Sequence, residues 1–143
     1  MYKRQTLASR NNLARVLVGA GRLAEALPLS ELTLADRERL LGPEHPDTLI
    51  SRNNLADAYR AAGRRAEAVA LFERTLADRE RLLGPEHLAT LISRDNLAYA
   101  YQEAGRLAEA LPLSERTLVY FERLLGPEHP ATLASRSNLA AAR

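Results

Sequence analysis

Leu41-Gly42-Pro43-Glu44-His45 returns as Leu83-Gly84-Pro85-Glu86-His87 and as Leu125-Gly126-Pro127-Glu128-His129, 42 residues apart each time. Between these copies the text repeats almost in full. Thr6, Thr48, Thr90 and Thr132 stand in register, each followed by Leu and, two further on, by Ser-Arg. Asn12, Asn54, Asn96 and Asn138 each open an Asn-Leu-Ala. A fixed period of this length means stacked supersecondary units, each packing on its neighbours, which excludes a single-core globular fold.

The units read as helical. Apolar residues are mostly Leu and Ala, with little Ile or Phe, a mix that favours helix over strand. Leu7, Leu13, Ala14, Leu17 and Ala20 fall at helical spacing from Thr6 to Ala20. Gly21 ends that helix, and a second runs from about Leu23 to Leu41 on the stripe Leu23, Ala26, Leu27, Leu34, Leu40 and Leu41. Gly42-Pro43 stops it, because Gly accepts positive φ and Pro cannot continue a helix. The same pair follows over about 47–62 and 65–83, and over 89–104 and 107–125. Asp47 or Thr48 is the expected N-cap of the third helix.

The expected units are therefore 6–47, 48–89 and 90–131, with 132–143 a fourth first helix that stops in mid-pattern. The chain reads as a fragment of a longer array. Met1–Gln5 does not match the repeat and reads as a non-native scar or a disordered lead. Two of the 20 basic residues, Lys3 and Arg4, lie there, leaving 18 basic against 18 acidic in the array. A neutral body with interspersed signs gives no support to nucleic-acid binding. No apolar run approaches bilayer length and no signal peptide opens the chain, so the default location is cytoplasmic, away from the membrane.

Leu55-Ala56, Tyr59, Gly63, Ala68 and Phe72 have the spacing of the tetratricopeptide repeat, a helix-turn-helix unit. The longer period, the Leu-Gly-Pro-Glu-His-Pro connector and Asn-Asn-Leu-Ala make the chain resemble the kinesin-light-chain variety. It departs at Ser30 and Ser114, which stand where Phe72 does, and at Thr33, Thr75 and Thr117, which occupy a usual Ala position. The resemblance implies an all-α fold, a right-handed α-solenoid of three units plus one extra helix. It implies a concave groove, lined by the first helix of each unit, that binds a peptide or partner protein.

Helical geometry divides the first helices the same way. At about 100° per residue, Thr48, Arg52, Leu55, Ala56 and Tyr59 share one face, opposite Ile50, Asn53, Asp57 and Ala61. The first face barely changes from unit to unit, as inter-unit packing demands, whereas the second drifts. The drifting face and its border give the expected groove: Asn11, Arg15, Ile50, Asn53, Asn54, Asp57, Ile92, Asp95, Asn96, Tyr99 and Glu103. Solvated positions without constraint would drift too. The repeated Asn residues leave two readings open, amides bridging adjacent helices or a ladder offered to a ligand backbone.

Arg10, Arg52, Arg94 and Arg136 fall on the packing face, with Glu38, Glu80 and Glu122 as candidate partners. Leu133 and Leu139 are the expected anchors of the last helix. His45, His87 and His129 lie one per connector, too dispersed for a metal cluster, so a structural role in the connector is expected. There is no glycine-rich phosphate loop, no cysteine, and no polar constellation that is not repeated in every unit. No catalytic, cofactor or metal site is expected. The reading is a non-enzymatic interaction module; a structural spacer or self-association scaffold, pairing end to end, is the alternative.

Overall fold

The structure, a computed structural model, describes residues 2–143, with side chains from Thr6 onward. The expectation for residues 1–5 falls outside the described side chains. The elements are α1 (Tyr2–Gly19), α2 (Leu23–Leu41), α3 (Pro46–Ala61), α4 (Arg65–Leu83), α5 (Leu88–Glu103), α6 (Leu107–Leu125) and α7 (Pro130–Ala142). The chain forms two compact halves, Met1–Leu71 and Phe72–Arg143. In the first, α1 packs on α2 and α2 on α3; in the second, α5 packs on α6 and α6 on α7.

The helices α1 to α6 end where the glycines predict. Gly21 has φ +76°, and the Arg22 N–H reaches back to the Leu17 carbonyl at 2.8 Å, closing the helix end with a left-handed residue. Gly42, at φ +93°, donates its N–H to Glu38 O at 3.0 Å. Any side chain at either glycine would be strained.

The helix starts correct the sequence reading. Neither Asp47 nor Thr48 caps α3; His45 does, in extended backbone, its Nδ1 accepting from the Asp47 N–H at 3.1 Å. His87 and His129 cap α5 and α7 in the same way, accepting from Ala89 N–H at 3.0 Å and Ala131 N–H at 3.1 Å. An accepting Nδ1 places the ring proton on Nε2. The histidines are thus structural, through a specific hydrogen bond. The repeated threonines do something else. Thr48, Thr90 and Thr132 are fully buried, and their hydroxyls donate to the carbonyls of Arg37, Arg79 and Phe121. Each ties a first helix to the second helix before it.

Small residues let the helices approach closely: Ala14, Ala26, Ala56, Ala68, Ala98 and Ala110 are all buried. Arginines complete the packing. Arg52 and Arg94 are enclosed, and each donates to a connector carbonyl, Arg52 to Pro43 O at 3.1 Å and Arg94 to Pro85 O at 3.3 Å. Arg94 also meets Glu80 at 3.4 Å and Arg136 meets Glu122 at 3.2 Å, as expected. Arg10 instead pairs with Asp36 at 2.9 Å. At the position of Asp36 the third unit carries Tyr120, whose ring lies between Arg94 and Arg123 at 5.3 and 4.9 Å. A cation–π contact there replaces an ion pair.

A tyrosine latch recurs in each half. The Tyr59 hydroxyl donates to Glu31 at 3.3 Å, and the Tyr101 hydroxyl to Glu73 at 2.5 Å. Arg64 and Arg106 lie over the two rings, 4.5 and 4.6 Å from their centres. Burial, then the Glu73 carboxylate, pushes the pKa of the Tyr101 hydroxyl up to about 12.

Two leucines depart from expectation. Leu13 is 51 % exposed, although Leu55 and Leu97 at the same position are buried. α3 has α1 and α2 packed against it; among the described residues, α1 has no helix on the corresponding side. Leu133 is 42 % exposed while Leu139 is 5 % exposed, so Leu139 and the small residues Thr132, Ser135 and Ala142 anchor α7.

Candidate functional site

In the first half, the predicted groove residues separate by environment. Arg15 and Ile50 are exposed; Asn53, Asn54 and Asp57 are half-buried; Asn11 is buried. Asn11 is engaged in packing, its Oδ1 accepting from the Ser51 hydroxyl at 3.2 Å. Ser51 in turn accepts from Arg37 at 2.9 Å, and the same Arg37 nitrogen donates to Asp47 O at 2.8 Å. This network fastens α1, α2 and α3 together. Arg79 repeats its arginine part with Ser93 at 2.7 Å in the second half. Sequence reading missed both arginines because a surface Arg and a buried one look alike until the helix phase is known.

Arg15, Asn54 and Asp57 do come together. They line an open cleft of about 520 Å³ between α1 and α3, with Asn12, Ala14, Val16, Val18, Gly19 and Ser30. Ile50 and Asn53 lie outside it. Asp57 pairs with Arg60 at 2.9 Å, and the Asn54 Nδ2 is buried without a hydrogen-bond acceptor among the described residues. Val18, Gly19 and Ser30 were not among the predicted site residues. The signal for one of them was Ser30 standing in the register of Phe72.

In the second half, Ile92 (44 %) and Tyr99 (39 %) are exposed on α5, Glu103 is exposed at its end, and Asn96 and Asp95 are half-buried. Asp95 takes the register of Asn11 and the same kind of bond, accepting from the Ser135 hydroxyl at 3.3 Å and from Asn138 Nδ2 at 3.3 Å. So Asn138 bridges two helices, as one of the two open readings has it. A separate cleft of about 370 Å³, lined by Leu97, Tyr101, Glu109, Pro112, Leu113 and Arg116, lies away from the predicted groove residues.

Asp95 is a carboxylate where its counterpart is a neutral amide, and Phe121 occupies the register held by Arg37 and Arg79. Burial raises its pKa above the ordinary carboxylate value, opposed by the hydrogen bonds from Ser135 and Asn138. The neutral form therefore stabilises the fold. That stabilisation is fully present below the ordinary Asp value near pH 4 and is lost as pH rises through the raised folded value. Asp95→Asn should raise the melting temperature at neutral pH and leave it unchanged below about pH 4. Parallel melting curves at the two pH values check this; equal midpoints at neutral pH would refute it.

Among the described residues no group of His, Asp or Glu is arranged to hold a metal ion, and no helix is long and apolar enough to cross a membrane.

Helix-turn-helix units of 42 residues, tied by a buried threonine and a capped connector, define an all-α solenoid of short repeats. This chain belongs to the tetratricopeptide repeat family, whose model matches residues 5–81, 59–118 and 94–143. It is kinesin-light-chain-like. It is similar to the crystal structure of nearly identical TPR-like repeats assigned to a kinesin light chain of Podosopora anserina, at 39 % identity and TM-score 0.89. That match covers 96 % of this chain and 65 % of the other, and a single-substitution variant of the same repeats gives the same values. BtubC (BKLC) from P. vanneervenii shares the fold at 23 % identity and TM-score 0.84, over 95 % of this chain and 54 % of its own. The chain thus spans between half and two thirds of the length of these solved chains. No curated protein matches it. Repeats of this family generally mediate protein–protein interaction and are typically non-enzymatic scaffolds.

Proposed function

We propose that the chain binds a peptide or partner protein on the groove face of its first helices, α1 and α3 in one half and α5 in the other, without chemistry of its own. The observation that carries this is the pair Ile92 and Tyr99, exposed on α5 where solvation alone requires no large apolar group. An aromatic anchor beside an aliphatic one is what binding hot spots are made of. Glu103 is exposed at the end of the same helix, so the preferred segment at the third unit combines an apolar side chain with a basic residue. With a neutral body, nucleic acid is not the partner.

The test uses peptides selected from a random display library on the full chain. Tyr99→Ala should weaken the selected peptides by about 1–2 kcal/mol and leave the chain folded, since Tyr99 is 39 % exposed whereas Leu97 and Tyr101 are buried. Asp95 is tied to α7, so the charge variant is made at exposed Glu103, and Glu103→Lys should alter the salt dependence of binding. Unchanged binding by both variants, with loss on Arg116→Glu of α6, would place the site elsewhere. Exposed Leu13 on α1 and Leu133 on α7 favour a second reading, end-to-end self-association. A strict monomer in concentrated light scattering would remove it.

A further inference from the structure

The first unit has a serine where the second has a ring. Ser30 of α2 stands in the register of Phe72 of α4, and Phe72 is buried. Ser30 lines the cleft of the first half. The wall beside it is also cut back: Val18 and Gly19 line the cleft, at positions that carry Gln102 and Glu103 in the third unit, around Ser114. At these three positions the second unit carries Arg60, Ala61 and Phe72 and the third Gln102, Glu103 and Ser114, so the first unit combines the smaller side chains around its cleft.

The rim has polarity. Arg15, on α1, is exposed and has no ion-pair partner among the described residues. Asp57, on α3, is half-exposed; Arg60 takes part of its accepting capacity, and a carboxylate has lone pairs to spare. Asn54 lines the same cleft, and its buried Nδ2 has no acceptor among the described residues, a state that costs stability unless a ligand supplies one.

We infer that this cleft receives one bulky apolar side chain of a peptide segment, with an acidic residue on the α1 side and a basic residue on the α3 side. The side chain fills the space above Ser30. A backbone carbonyl of the segment accepts from Asn54 Nδ2, and Arg15 and Asp57 meet the two charges, which sets how the segment lies across α1 and α3. This rests on the groove reading, but in the first half, with residues independent of Tyr99 and Ile92.

Fluorescence anisotropy on the full chain tests it with three end-capped peptides that share a central phenylalanine. One carries an acid and a base on either side, one two acids, and one two bases. The mixed-charge peptide should bind at least fivefold more tightly than either other. Ser30→Phe puts into the first unit the side chain already buried in the second, so the fold should hold or gain in melting temperature, while binding should fall at least tenfold. Arg15→Glu should shift the preference to the two-base peptide. The inference is overturned if Ser30→Phe binds within twofold of the parent chain, if the two-acid peptide binds as tightly as the mixed one, or if no peptide binds the parent chain. In each of these cases, library peptides that still respond to Tyr99→Ala keep the groove reading of the second half intact.

Discussion

Replacing Arg94 by Ala should cost about 3–5 kcal/mol, the scale for breaking a buried charged network and leaving a cavity. Arg94 is 1 % exposed, stacks on Tyr120 and donates to the Pro85 carbonyl and to Glu80. Truncation would leave that carbonyl without its donor, Glu80 without its cation, and a void between α5 and α6. Lysine cannot rescue it, because one ammonium does not reproduce the planar fork that stacks and donates at once. Methionine should recover roughly half of the loss by refilling the space without a charge to satisfy. Urea denaturation of the three variants would show the order Ala, Lys, Met in rising stability. A loss below about 1 kcal/mol on Arg94→Ala, the value of an exposed pair, would mean that water already compensates the guanidinium.

A second pair of substitutions separates two leucines that look equivalent in the text of α7. Leu139→Ala should cost roughly 2–3 kcal/mol, towards the lower end for a buried leucine because a terminal helix can relax around the void. Leu133→Ala should stay within about 0.5 kcal/mol, as surface changes do. The difference follows from exposure, 5 % against 42 %. Equal losses in denaturant midpoint would show that α7 is covered on both faces in solution, which is also what end-to-end association predicts; dilution of the sample would then separate the two positions again.

Much of this was legible in one dimension. The 42-residue period, the glycine stops and the Leu/Ala spacing determined the helices, their pairing and the family, because each depends on local backbone preference or on repetition. The division of the first helices into a repeated face and a drifting face also came from the text, since identical neighbours require identical contact surfaces.

What the text left undetermined depended on three-dimensional neighbours. His45, not Asp47 or Thr48, caps α3, because the residue in extended backbone with an acceptor aimed at the second N–H is settled by the path of the connector. Asn11 and Asp95 read as groove residues by helical angle, yet each accepts from a serine hydroxyl forty residues further on. Leu13 and Leu133 occupy packing positions by pattern and lie open, since burial is a property of what stands opposite and not of the residue itself. Ser30 was visible only as a departure from the register of Phe72. Its consequence, a cleft, emerged when Val18, Gly19 and Asn54 proved to surround the same space, a coincidence that a sequence period does not encode.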